Sequence, residues 1–267
     1  MRIDLKKSLF ILPNLFTLSS IFCGFYAIVL SSGDQGSGAF YQASLLIIFA
    51  MFFDIIDGRV ARLTRTQSAF GMEIDSLADV VSFGAAPAVL VYRWALEPLG
   101  LLGILGAFSL VACGAIRLAR FNVLSMQNDG RPKKPGKYIV GLPIPGAAGM
   151  LVSLIAANHA VGGALEHSPL IVLTVVLLLS AFMVSTVQFR SFKDLRLNAR
   201  TVLLVGTVLV SSLVLAFKLH VAFAMAWLLA GYVAIAIAET TLSVMRKLRR
   251  RELREARERR SSLHRRN

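Results

Sequence analysis

A series of apolar windows, each long enough for a helix to cross a bilayer, limits this chain to one class of fold. They fall at about residues 10–31, 39–58, 71–95, 99–124, 142–160, 168–189, 201–217 and 221–245. A transmembrane helix needs about 20 such residues to span a hydrocarbon core about 30 Å thick. Composition agrees, since 56% of the 267 residues are hydrophobic and 16% are charged, against about 25% charged in an ordinary soluble domain. The expected fold is an all-α, polytopic transmembrane helix bundle of about eight spans. The start, MRIDLKKSLFILPNLF, has the basic and apolar regions of a signal peptide. No small-residue cleavage site follows cleanly, so it reads as a retained first helix. Cys23 and Cys113 sit in apolar runs and give neither a disulfide framework nor metal-ligand spacing.

Charge sets the expected orientation. With the N-terminus inside, the cytoplasmic segments hold every one of the 29 basic residues except Arg93 and Lys218. A shift of one span would scramble that asymmetry, so both termini are expected in the cytoplasm of a cell (inner) membrane protein. The tail from Arg246 to Asn267 carries eleven Lys/Arg against Glu252, Glu255 and Glu258. It reads as a topology anchor touching anionic membrane lipids. It lacks the aromatic interleaving or module of a nucleic-acid binder, so no nucleic-acid partner is expected.

Against this apolar background, four aspartates stand out in DIIDGRVARLTRTQSAFGMEIDSLAD, residues 54–79. A carboxylate within a membrane helix is costly and by default marks a functional site. Asp54 and Asp57 are spaced i, i+3, and Asp75 and Asp79 i, i+4, so each pair shares a helix face. The second and third windows form a hairpin with its turn near 63–70. Asp57 and Asp75 each lie about five residues from that turn, at a similar depth of roughly 8 Å. Four converging carboxylates favour a hard cation, Mg²⁺ or Mn²⁺. The four histidines (His159, His167, His220 and His264) are expected in extracytoplasmic loops or the tail.

Small and basic residues are interleaved with these acids. Gly58 and Gly71 allow a bulky ligand close to the backbone, Ala61 is small, and Arg62 is suited to gripping a phosphate. Carboxylates, a cation, an arginine and a glycine-lined slot describe a pyrophosphate site. A cation-coupled transporter would also bury carboxylates, but such folds repeat their interrupted helices in both halves. No second carboxylate hairpin follows in the C-terminal half.

The spacing Asp54-x2-Asp57-Gly58-x2-Ala61-Arg62-x8-Gly71-x3-Asp75-x3-Asp79 resembles the signature of the CDP-alcohol phosphatidyltransferase family at all eight fixed positions. The resemblance implies a core of about six helices that uses a CDP-linked substrate. It implies two divalent ions on Asp54, Asp57, Asp75 and Asp79, with Asp79 also the catalytic base. It places Gly58, Ala61, Arg62 and Gly71 along the nucleotide and pyrophosphate slot, and it suggests a homodimer. Near the start, Pro13-Asn14-Leu15-Phe16-Thr17 also resembles the family. Asn14 and Thr17 share a face and are candidates for the cytidine part of CDP-diacylglycerol. Pro13 and Asn14 read equally well as an ordinary helix start.

Further segments resemble the multi-span bacterial and archaeal branch whose acceptor alcohol is L-serine. These are Val80–Ala88, Arg117-Leu118-Ala119-Arg120-Phe121-Asn122, Gly141-Leu142-Pro143-Ile144-Pro145 and Gln188–Lys193. The resemblance covers about residues 8–195. It divides the chain into a catalytic core (1–195), two additional helices (196–245) and the basic tail (246–267). Arg117, Arg120 and Asn122 are candidates for binding serine, because arginine suits a carboxylate. Their alternative role is as positive-inside anchors. A glycerol 3-phosphate, inositol phosphate or amino-alcohol acceptor stays open, as does a lipid-headgroup role for the Lys133, Lys134 and Lys137 loop.

Overall fold

The computed structural model describes residues 5–33, 36–64, 66, 68–125, 138–162, 165, 167–190 and scattered short stretches between 207 and 235. Its helices are α1 (Leu5–Ser32), α2 (Gly36–Leu63), α3 (Ala69–Asp79), α4 (Ala86–Val91), α5 (Leu101–Ser125), α6 (Ile144–Ala160) and α7 (Pro169–Val184). Two wide π turns, Val80–Ala85 and Tyr92–Leu96, and a 3₁₀ turn at Glu97–Leu99 join α3 and α4 into one continuous third rod. Six of the expected windows therefore coincide with helical rods. The seventh and eighth windows lie largely outside the described residues, as do the tail and the Lys133, Lys134 and Lys137 loop.

Among the described residues four stretches are long and apolar enough to cross a membrane: Pro13–Ser32, Gly38–Leu63, Phe70–Leu99 and Leu101–Val123. The α6 and α7 helices are equally apolar but shorter, with 17 and 16 residues. At 1.5 Å per residue each is about 25 Å long, a little under the hydrocarbon thickness. Their outer faces and those of the longer helices expose Phe22, Phe25, Phe49, Phe52, Phe108 and Leu170. In water such a surface would aggregate; in lipid it is matched to its solvent. The chain is a membrane protein. Hydroxyls within the helices are satisfied locally, as when Ser31 Oγ donates to the Ala27 carbonyl and Ser180 Oγ to that of Val176.

Small residues bring the rods together. Ala27, Ala43, Ala50, Ala86, Ala147 and Ala148 are completely buried, between larger core residues such as Phe83, Leu90, Ile144 and Met183. This is how helices associate where lipid tails remove the hydrophobic driving force. The α1 and α2 helices pack along their lengths, α6 lies against α2, and α7 lies against α5. The π turn after α3 touches α1, α5 and α6. Pro13, read from sequence as a possible helix start, lies inside α1.

One feature departs from the all-helical expectation. Strands β1 (Tyr138–Val140) and β2 (Gln188–Arg190) pair antiparallel, with Ile139 opposite Phe189. Backbone outside a helix must find its hydrogen bonds elsewhere, and these segments, lying before α6 and after α7, find them in each other. Gly141 N donates to the Val187 carbonyl at 2.9 Å and Leu142 N to that of Phe182 at 3.0 Å, extending the ribbon towards α6. Three-residue strands fall below what an apolar window can register.

Candidate active site

The hairpin forms as its sequence requires. Chain leaving α2 closes with Thr66 N donating to the Ala61 carbonyl at 3.0 Å. Ser68 then caps α3, accepting from Gly71 N at 3.0 Å. The turn brings the ends of α2 and α3 together, and with them the acids. One oxygen from each of Asp54, Asp57 and Asp75 lies within 4.8 Å of the other two. Asp79 stands beside this trio, close to the carboxyl of Asp54. Asp79 Oδ1 is buried with no hydrogen-bond partner.

The donor set fits a hard divalent cation. Charges at such separations repel by roughly 3 kcal/mol per pair at an effective dielectric of about 20. Asp57 is only 4% exposed, so water screens it poorly. Counter-charge relieves that repulsion, and carboxylate oxygens are the ligands such ions prefer. The orphaned Asp79 Oδ1 is a further acceptor awaiting a donor or a cation.

Neighbouring residues frame the acids. Thr17 Oγ1 lies 2.7 Å from Asp57 Oδ2 and 3.2 Å from the Pro13 carbonyl, so the hydroxyl is engaged on α1 and on the acid cluster. The sequence makes Thr17 a candidate for the cytidine group, and in the structure its hydroxyl donates to Asp57. Asn14 is one turn away on α1 and half-buried. A Cβ added at Gly58 would meet only the Arg62 guanidinium, at 3.9 Å, which leaves open space beside Asp57 under that arginine. Ala61 is half-buried on the same turn as Arg62, which is exposed. Gly71 differs: a Cβ there would come within 3.2 Å of Ser68 Oγ, so it also serves the cap.

The three candidate acceptor residues separate in kind. Arg117 is 6% exposed, near enough to Asp79 for its charge to act there, and its guanidinium carbon lies 5.3 Å from the Phe121 ring centre. Arg120 turns instead to backbone. Its Nη1 donates to the Val184 carbonyl at 3.0 Å, and its Nη2 to those of Val140 and Ser185, each at 3.2 Å. Asn122 Nδ2 donates to Ser76 Oγ at 2.9 Å, fastening α5 to α3 beside Asp75. No signal in the sequence tells Arg117 from Arg120, which sit three residues apart on one helix. The ribbon and the α7 terminus make the difference.

A hairpin of carboxylates beside an arginine and open glycine backbone, inside a bundle of apolar helices, suits a divalent cation and a phosphorylated ligand. The sequence model of CDP-alcohol phosphatidyltransferases matches residues 10–187, and the chain belongs to that family. Among its curated relatives, a CDP-diacylglycerol–serine O-phosphatidyltransferase of Helicobacter pylori is 38% identical over 197 residues, covering 74% of this chain and 79% of the relative. A Bacillus subtilis protein of the same name is 34% identical over 182 residues, covering 68% of this chain and 91% of the relative. An archaetidylserine synthase of Methanothermobacter thermautotrophicus is 35% identical over 189 residues, covering 70% and 72%.

Proposed function

We propose that this chain transfers the phosphatidyl group from CDP-diacylglycerol to the hydroxyl of L-serine, releasing CMP and forming phosphatidylserine. The observation that carries this reading is the convergence of Asp54, Asp57 and Asp75, with Asp79 at their side, in one membrane hairpin. The names and coverage of the relatives favour serine over a glycerol 3-phosphate, inositol phosphate or amino-alcohol acceptor, and favour a transferase over a transporter.

In this reading Asp54, Asp57, Asp75 and Asp79 hold two divalent ions, Mg²⁺ or Mn²⁺. Bound there, they supply counter-charge to the pyrophosphate and to the departing CMP. Arg62 and the open backbone at Gly58, with Ala61 and Gly71, receive the pyrophosphate and ribose side of the lipid nucleotide. Asn14 borders the cytidine end. Arg117 offers its charge to the serine carboxylate, while Arg120 and Asn122 hold the walls of that pocket. Asp79 takes the proton of the serine hydroxyl as its oxygen bonds to the phosphorus bearing diacylglycerol. The bond from that phosphorus to the CMP oxygen breaks, and CMP leaves with the electron pair. A single in-line displacement of this kind inverts configuration at phosphorus.

Both termini and the site face the cytoplasm of the cell membrane, the last two windows and the basic tail are additions to the family core, and the enzyme is a homodimer. The positive-inside asymmetry supports the first of these and the family resemblance the last.

The test is product identification with the purified full chain, CDP-diacylglycerol and a panel of alcohols in detergent. Phosphatidylserine and CMP should form in equal amounts with serine, and excess EDTA should stop both. Turnover with glycerol 3-phosphate but not serine would move the chain to another branch. Ion flux into vesicles without CMP release would place it outside transferase chemistry.

A further inference from the structure

Asp79 has few contacts of its own beyond Asp54 and the nearby charge of Arg117. Its carboxyl lies close to that of Asp54, and its Oδ1 is buried without a hydrogen-bond partner. Its position therefore depends on the backbone that carries it. That backbone changes form at the next residue, where the α-helix widens into the π turn Val80–Ala85 and Ala86 N reaches back to the Val81 carbonyl. Such turns are rare overall but frequent at functional sites, and this one is held from outside.

Here the hold comes from α1. Ser82 Oγ donates to the Ser20 carbonyl at 2.9 Å, and Ser20 Oγ lies 3.4 Å from Ser82 Oγ. One turn further along α1, a Cβ at Gly24 would come within 2.7 Å of Ser82 Cα, so the two backbones touch with no room for a side chain. Thr17, Ser20 and Gly24 follow one face of α1 at i, i+3 and i+7. The first holds Asp57, and the other two hold the turn that carries Asp79. On its opposite side the turn is looser. A Cβ at Gly84 would sit 3.6 Å from Ile144 Cδ1 and 3.9 Å from Val111 Cα, ordinary contact distances.

We propose that Ser82 and Gly24 are positioning residues for Asp79: their seam with α1 fixes the π turn and thereby the distance from Asp79 to the reacting serine oxygen. The inference rests on the reading above, in which Asp79 removes the serine proton. It assigns the seam to the rate of transfer and to neither substrate's binding.

The experiment compares wild type with Ser82→Ala, Gly24→Ala and Gly84→Ala in the full-length purified protein. Misplacing a catalytic group by an ångström or less costs about 10- to 100-fold in rate. Ser82→Ala and Gly24→Ala should lower kcat by about tenfold or more. The KM values for CDP-diacylglycerol and serine should stay near wild type. Gly84→Ala should keep wild-type kcat. A kcat unchanged in Ser82→Ala would overturn the proposal, as would a loss shared equally by Gly84→Ala or one seen mainly in the serine KM. If Gly24→Ala fails to fold, Ser82→Ala decides alone. The parent reading fails separately, in the wild type, if serine yields no CMP; the same comparison then runs with whichever alcohol the wild type accepts.

Discussion

Thr17 joins α1 to the acid cluster through one hydroxyl. It is buried between α1 and α2, and its 2.7 Å contact orients one oxygen of Asp57. Partners behind a metal ligand typically alter affinity or activity by about 10- to 100-fold. We predict that Thr17→Val raises the Mn²⁺ concentration for half-maximal activity within that range and that Thr17→Ser restores it; an unchanged metal requirement in Thr17→Val would remove Thr17 from the site. Arg117 and Arg120 divide along similar lines. Losing a charged hydrogen bond costs about 1.5–3 kcal/mol, or roughly 10- to 150-fold in binding. Arg117→Ala should raise the serine KM by that factor and leave that for CDP-diacylglycerol alone. Arg120→Ala should mainly lower the thermal midpoint, since its donors serve three backbone carbonyls. Equal serine KM values in wild type and Arg117→Ala would leave Arg117 as a topology anchor. The aspartates and their pairing by face were legible from spacing alone, because helix geometry is fixed. The Thr17–Asp57 bond was not, because it joins residues forty positions apart.

Among the elements, the ribbon and the start of α6 depend on one backbone conformation. Gly141 has φ +81°, and a side chain there would strike the Met183 carbonyl and the Arg120 guanidinium. A residue forced into such a conformation costs on the order of 1–3 kcal/mol before any clash. Gly141→Ala should therefore lower the thermal midpoint of the detergent-solubilised protein and the recovery of folded chain. A midpoint equal to wild type would mean that the ribbon does not brace α6. Sequence located all six described rods, since a long apolar window states its own length. It missed the two π turns, whose causes are contacts such as Ser82 with Ser20 that local composition does not encode. It also missed the pairing of Tyr138–Val140 with Gln188–Arg190, which are brought together only once the helices between and beside them have packed.

For the whole molecule, orientation rests on where the basic residues fall, and surface chemistry can test it. With Cys23 and Cys113 replaced by alanine, single cysteines can be placed at exposed Ser32, Val161 and Leu63. An impermeant maleimide should label Ser32→Cys and Val161→Cys in intact cells, and Leu63→Cys only after permeabilisation. The reverse pattern would invert the bundle and put the carboxylate hairpin on the outer face. In the proposed reaction this hairpin is the centre at which the phosphatidyl group passes to serine. The most direct test of that role is serine-dependent CMP release by purified wild type, Asp79→Asn and Asp54→Asn, each shown to be folded by its thermal midpoint. General-base catalysis contributes about 10²- to 10⁴-fold. The kcat should fall at least about 100-fold in Asp79→Asn and by a comparable or larger factor in Asp54→Asn. Wild-type rates of serine-dependent CMP release from either folded variant would contradict that role.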